Sequence, residues 1–416
     1  MSAFHYRDGE LFAEDVALEE IAQRHGTPCY VYSRAALEAN YRAFDTALAR
    51  LPHRIFYAMK ANPNLAVLDV CARLGSGFDI VSGGELARVI AAGADPRNVV
   101  FSGVGKTDDE IRSALAARIH CFNVESAPEL ERLAALAREA GLRAPVSFRV
   151  NPDVDAKTHP YISTGLKENK FGVAFDAAPA LYRRASQLAS IEIAGIDIHI
   201  GSQITELAPY RESARKLLAL VDRLADDGIR LAHIDLGGGL GIRYKDESPV
   251  SLDEYASMLE SLFAGRAQTL LFEPGRRLVG DAGVLLTRVG YLKRTGSRDF
   301  AIVDAAMNDL LRPALYDAWH PVDPVRVHDG EEHCWQIVGP VCESADFLAR
   351  DRTLALAPDD LLAIGAAGAY AMAMSSNYNA RPRACEVLVD GDAAHLVRRR
   401  ETVEALFAGE SLLPGG

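Results

Sequence analysis

The sequence predicts an α/β protein: a (β/α)8 barrel of the TIM type plus a C-terminal antiparallel β domain that also takes the N-terminal strands. Three observations predict this. Eight short β-branched or aromatic runs recur, each ending in Gly, Ser, Asn or a charged residue and each followed by Ala/Leu/Glu/Arg-rich sequence. Repeated strand–helix units demand parallel strands with right-handed crossovers, and eight of them point to a closed barrel rather than an open sheet. After Arg276 the rhythm changes to strand-like segments without long helices between them.

Taken in order, the chain begins with FHYRDGELF and TPCYVYS, which read as strands and are assigned to the β domain with residues 1–30. The barrel is assigned to 31–275 and the rest of the β domain to 276–416. The first four runs are RIFYAMK from Arg54, GFDIVS from Gly77, NVVFSG from Asn98 and IHCFNVES from Ile119. PVSFRVNP from Pro145, IAGIDIHIGS from Ile193, LAHIDLGGG from Leu231 and TLLFEPG from Thr269 complete the set. Between them, Ser126 to Ala140 is an amphipathic helix with Leu130, Leu133, Ala134 and Ala137 at helical spacing, and Ser126 with Glu129 forms a capping-box pattern. The long connection from Asn151 to Phe175 reads as an insertion, and its KTHPYISTG segment as a candidate lid. Beyond the barrel, VLLTRVGYLKR, FAIVDAA, CWQIVGPVC, TLALA, ACEVLVD and HLVRRR supply the β domain.

Composition narrows the function. The formal charge of −12 over 416 residues argues against nucleic acid and anionic membrane as partners, while leaving room for a locally basic pocket. Six cysteines without a C-x-x-C pair are too sparse for a disulfide scaffold, and MSAFHYRDGE has no signal-peptide core. The expectation is a reduced, cytoplasmic protein. No Cys/His spacing suits zinc, and H-E-x-x-H and G-x-S-x-G are absent, so no metal site or serine hydrolase is expected.

In such a barrel, functional groups gather where strands end. Those positions hold Lys60, then Ser82-Gly83-Gly84-Glu85, Arg149-Val150-Asn151, His199-Ile200-Gly201-Ser202, Gly237 to Gly241 and Glu273-Pro274-Gly275-Arg276. Lys60 follows an apolar strand, where partial desolvation favours the nucleophilic amine; a snorkelling surface lysine is the plain alternative. The glycine run after the seventh strand lets backbone N–H groups approach a phosphate, where barrel phosphate sites commonly lie. It fails the dinucleotide pattern at Ile242, and SGVGKT fails the Walker A pattern because Val100 stands where Gly is needed. Glu273, ending an apolar run, is placed to hold a pyridine nitrogen protonated, or else to pair with Arg276 or Arg277. His199 is placed to stack on a flat ring or move a proton. Lysine, phosphate loop and carboxylate around one barrel end suit pyridoxal phosphate.

These motifs carry a family resemblance. YAMKAN, FDIVSGGEL, RVNPDVDAKTHPYISTGLKENKFG, HIGSQ, DLGGGLG, EPGR, DAAMNDLLRPALYDA, GPVCESAD and SSNYNARPR appear in the order found in pyridoxal-phosphate-dependent decarboxylases of the alanine-racemase-like fold. YAMKAN and the Cys-Glu-Ser form of the late motif are most similar to the diaminopimelate decarboxylases; Ala345 stands where that family more often has Gly. The resemblance implies that Lys60 is the Schiff-base lysine, that His199 stacks on the cofactor ring, and that Glu273 meets its nitrogen. It implies that Ser202, Gly237, Gly238 and Gly239 bind the phosphate, and it places Asp79, Gly275, Arg276 and Tyr370 with the cofactor. Arg276, Arg312, Tyr316, Glu343 and Tyr370 are implied substrate contacts. Cys342, with its own reading as an inert small hydrophobe, is implied as a proton donor reaching with Glu343 into the opposite subunit of a homodimer. The implied reaction converts meso-2,6-diaminopimelate, a diamino dicarboxylic acid, to L-lysine and CO2. Alternatives are a decarboxylase of lysine or ornithine and an amino-acid racemase of the same fold. Arg276 with Arg312 discriminates, because a substrate lacking the second carboxylate leaves one guanidinium unpaired.

Overall fold

The eight apolar runs fold as strands and pair in one closed parallel ladder in the computed structural model, which describes residues 3–155 and 170–414. They are His53–Ala58, Gly77–Ile80, Val99–Phe101, Cys121–Val124, Ala144–Asn151, Ile191–Asp197, His233–Asp235 and Thr269–Phe272. Thr269–Phe272 pairs back onto His53–Ala58, and Cys121–Val124 pairs with Ala144–Asn151, which closes the barrel. Strand residues are buried on both faces, as a parallel sheet wrapped by helices requires. Phe56, Val100, Cys121 and Leu271 pack in the interior. The KTHPYISTG segment lies outside the described residues.

The connecting helices form where the sequence supplies an apolar stripe and a cap. Ala127–Glu139 buries Leu130, Leu133, Ala134, Leu136 and Ala137, and the Ser126 hydroxyl accepts the Glu129 N–H. The reciprocal half of that cap differs from expectation. The Glu129 carboxylate takes the N–H of Glu125, one residue earlier than Ser126, at 2.9 Å, and also binds the buried Lys106 ammonium at 2.7 Å. A buried ammonium needs a counter-charge, and Glu129 serves it.

Residues 38–243 with 247–278 form the barrel unit, and residues 1–37, 244–246 and 279–416 form the second. In the second unit, Cys29–Ser33 lies inside a large sheet between Gly283–Arg294 and Cys385–Asp390. Its other strands include Asp299–Val303, His333–Val338, Phe347–Leu354, Leu361–Ile364 and Ala393–Arg398. Most ladders are antiparallel, but Asp299–Val303 pairs in parallel with His333–Val338, and Cys29–Ser33 with Cys385–Asp390. Strand direction follows from which ends the connections join, which short strand-like runs do not encode. Phe4–Arg7, Glu10–Ala13 and Val16–Ala17 form a separate three-stranded sheet in the same unit. Leu11, Ala13, Leu18 and Ile21 pack with Val31, Leu286 and Val387 in one core.

One glycine of the barrel is dictated by a close approach. Gly195 sits where the sixth strand shifts register, and a Cβ there would lie 2.1 Å from His233 Nε2. Gly195→Ala should therefore destabilise the barrel by about 1–3 kcal/mol through overpacking, read as a lower Tm. Adding His233→Ala should recover part of that loss. No recovery in the double variant would place the strain elsewhere.

Candidate active site

Four acids converge at the C-terminal ends of the barrel strands. Asp79 lies within the second strand, Asp197 and Asp235 end the sixth and seventh, and Glu273 follows the eighth. All four are buried. Carboxylate oxygens of Asp197, Asp235 and Glu273 lie within 4.8 Å of one another. Lys60, in the turn Met59–Ala61 after the first strand, sets its Nζ 2.5 Å from Asp79 Oδ2 and keeps 35% of its side chain exposed. The ammonium is thus anchored on a buried carboxylate while part of the side chain stays exposed.

So many carboxyls in so little water cannot all ionise. Burial pushes Glu273 well above the usual carboxylate range, with the Asp235, Asp79 and Asp197 charges adding to it and Lys60 opposing. Burial likewise raises Asp197, next to Asp235. Asp235 is pushed up to about 7 by burial, against the pull of the Gly237 N–H. Asn123 Nδ2 donates to Glu273 Oε1 at 3.3 Å, so Glu273 is held by an amide rather than by Arg276 or Arg277. His199 is driven well below its usual value by burial, then by Arg149 and Lys60, so its ring is neutral. Its Nδ1 accepts the Gly238 N–H at 3.2 Å, which puts the ring proton on Nε2.

The glycine run has a packing role as well as the expected one. Gly237 N–H donates to Asp235 Oδ1 at 2.9 Å, so the first two N–H groups of the run are engaged within the protein. A Cβ on Gly238 would lie 2.2 Å from the Glu273 carbonyl oxygen. Gly239, at φ +101°, would place one 2.5 Å from the Gly201 carbonyl. These approaches draw the sixth, seventh and eighth loops together. Arg276, buried, donates from Nη2 to Ser202 Oγ at 3.2 Å there, beside Gly275.

Among the described residues, buried Asp79 Oδ1, Asn123 Oδ1, Asp197 Oδ1 and Asp235 Oδ2 have no hydrogen-bond partner. Acceptors left so call for a ligand carrying donors or positive charge. Pyridoxal phosphate, with its aldehyde, its ring nitrogen and its phosphate, would suit this donor and acceptor set, and Lys60, Glu273, Ser202 and Arg276 are the residues that would hold it.

The remaining predicted site residues lie in the second unit. Arg312 opens the short helix Arg312–Tyr316, with its guanidinium 4.9 Å from the Tyr244 ring centre and 5.9 Å from that of Tyr316. Its Nε donates to His320 Nε2 at 3.3 Å, and His320 Nδ1 meets the Gly365 carbonyl at 2.9 Å. Cys342 and Glu343 are exposed on the loop between His333–Val338 and Phe347–Leu354. That loop is tied by Asp346 to the Val341 and Met307 N–H groups at 2.8 and 2.7 Å, and by Asn379 Oδ1 to the Cys342 N–H at 2.8 Å. Tyr370 takes φ +54°, a left-handed backbone for a bulky side chain.

Comparison with known proteins agrees with this geometry. Residues 34–280 match the family described as "Pyridoxal-dependent decarboxylase, pyridoxal binding domain". The diaminopimelate decarboxylase of Pseudomonas aeruginosa is 63% identical over 414 residues, covering 100% of both chains. The chain belongs to the diaminopimelate decarboxylase family. The Vibrio cholerae member is 56% identical, again across 100% of both chains. Among solved structures, the family member from M. jannaschii in complex with L-lysine superposes with TM-score 0.94 at 38% identity, covering 99% of this chain and 98% of that one. No described helix is long and apolar enough to cross a membrane.

Asp197, Asp235 and Asn123 were not among the residues expected from the sequence. Each is a polar residue in or at the end of a buried barrel strand, and that is the signal that marks them.

The crowding of acids has a measurable consequence. Without cofactor, Asp235 holds its proton to about 7 folded against an ordinary 3.8, so it contributes stability that is lost as pH rises between those values. Asp235→Asn keeps an oxygen for the Gly237 N–H and has no such proton to lose. Its Tm advantage over the parent apoprotein should grow from about pH 4 to pH 7; a constant offset contradicts the crowding.

Proposed function

We propose that Lys60, Glu273, His199 and the Ser202–Arg276 pair carry the decarboxylation of meso-2,6-diaminopimelate to L-lysine and CO2. The observation that carries this reading is the Lys60 ammonium anchored on buried Asp79 within a barrel end crowded with acids, Glu273 among them. Pyridoxal phosphate, when bound, supplies an aldehyde for amines and a protonated ring that takes up the electron pair left as a carboxylate departs. Lys60 is the amine that would hold the cofactor through that aldehyde. Glu273 would pair with the ring nitrogen and so favour its protonated form. His199, neutral and fixed by the Gly238 N–H, covers one face of the ring without adding charge. Asp79 orients the Lys60 amine, and Ser202, Gly239, Gly275 and Arg276 hold the phosphate.

Substrate recognition follows the same logic. Arg312, flanked by Tyr244 and Tyr316, binds the carboxylate that is retained, since a planar guanidinium matches it with two parallel bonds. Glu343 suits the distal ammonium. Cys342 delivers the proton that replaces CO2 on the reacting carbon, and Tyr370 completes the contacts. Exposure of Cys342 and Glu343 on a loop braced by Asp346 and Asn379 supports their lending to a second copy, as a homodimer with shared sites. Six free thiols support a reducing cytoplasm.

Lys60→Ala should lose the visible absorbance of bound cofactor and all CO2 release together; an unchanged spectrum refutes the lysine assignment. Mixing Lys60→Ala with Cys342→Ala protein should restore about a quarter of parental activity, because random pairing leaves one intact site in each hybrid dimer. No recovery, with subunit exchange verified, would rule out a site shared between chains.

A further inference from the structure

Two thiols outside the site are paired across strands. Cys29 opens the strand Cys29–Ser33 and Cys385 opens Cys385–Asp390, and the two are direct partners in the parallel ladder. Both are buried, at 0% and 2% exposure, in the same core. Directly paired residues on neighbouring strands stand ~4.8 Å apart at Cα, inside the range a disulfide spans. The surroundings of the two sulfurs differ. Cys385 Sγ lies 3.6 Å from Arg400 Nη2 and 3.8 Å from the His25 carbonyl. Arg400 Nη2 also bonds the Pro28 carbonyl at 2.8 Å, so this one guanidinium lies over the sulfur and ties residues 25–28 to the last strand region. Cys29 Sγ faces the Tyr30 carbonyl at 3.5 Å.

We propose that Cys29 and Cys385 form an oxidation-sensitive dithiol site that closes to a disulfide under hydrogen peroxide and reopens under thiol reductants. Cys385 is the attacking sulfur, because the Cys29 thiol and then Arg400, 3.6 Å away, favour its thiolate against the opposing effect of burial. Cys29 is held protonated by its bond to Cys385 and by burial. The thiolate of Cys385 attacks one peroxide oxygen, the O–O bond breaks, and the departing hydroxide takes a proton as water. The Cys29 sulfur then attacks the resulting sulfenic acid, the S–S bond forms, and a second water leaves. Two thiols and one peroxide thus give one disulfide and two waters. The closed form staples a strand near the N-terminus to a strand near the C-terminus, a loop spanning most of the chain. This site is independent of the decarboxylase reading.

The test is non-reducing peptide mapping by mass spectrometry of the holoenzyme, before and after peroxide and after dithiothreitol. The expected product is a Cys29–Cys385 linked peptide pair, lighter than its parts by two hydrogens, accompanied by a higher Tm that dithiothreitol reverses. Arg400→Ala keeps both thiols and should slow cross-linking roughly tenfold or more by withdrawing the cation that favours the thiolate. Recovery of Cys29 and Cys385 as free thiols, as separately oxidised acids, or linked to other cysteines overturns the proposal. So does a cross-linking rate in Arg400→Ala equal to that of the parent. Cys29→Ser and Cys385→Ser, each checked for folding by circular dichroism, should give no peroxide-dependent rise in Tm; a rise equal to the parent's would also overturn it.

Discussion

Burying several carboxyls beside one ammonium is the constraint on which the barrel end is built. Asp79, Asp197, Asp235 and Glu273 leave water together, and among the described residues Lys60 and Arg149 stand close enough to oppose them. In an unliganded protein that arrangement costs stability, because buried charge without full pairing is expensive. A bound group with a cationic ring nitrogen would offset that cost by lending the acids a counter-charge. The acids give the site affinity for positive charge, and the loops after the sixth to eighth strands give it a place for negative charge.

The scaffold around the acids is itself ionic. Arg149 Nη1 lies 3.3 Å from Glu125 Oε1, and its Nε lies 4.0 Å from Asp197 Oδ2. Glu125 accepts the Gly103 and Gly172 N–H groups, each at 2.9 Å. Lys106 binds the Gly103 and Asn123 carbonyls and the Glu129 carboxylate. The third, fourth and fifth strand ends are therefore braced by paired buried charges, and the amide that holds Glu273 is carried on Asn123, part of the same brace. Loops that would otherwise move are fixed where position matters to the chemistry.

The barrel was legible because each strand is an apolar run bounded by a breaker or a charge, and all eight runs became strands. The second sheet was legible as strands but not as pairings. Its two parallel ladders depend on contacts between chain ends far apart in sequence, and Tyr244 leaves the barrel unit for the Arg312 cluster without any local signal. At the site, Lys60, His199 and Glu273 stood out at strand ends. Asp197 and Asp235 did not, because a single Asp in an apolar strand is ambiguous until the barrel brings neighbouring strands side by side. The Glu129 carboxylate similarly answered to Lys106, a buried cation whose partner the sequence does not name.

The central claim is that this barrel end removes a carboxylate from a diamino dicarboxylic acid and stops at the diamino monocarboxylic product. Its most direct measurement is CO2 release from meso-2,6-diaminopimelate beside L-lysine, with and without added pyridoxal phosphate. The account predicts cofactor-dependent release from the first substrate, with L-lysine accumulating and not consumed. Equal release from both substrates, or release independent of the cofactor, would contradict it.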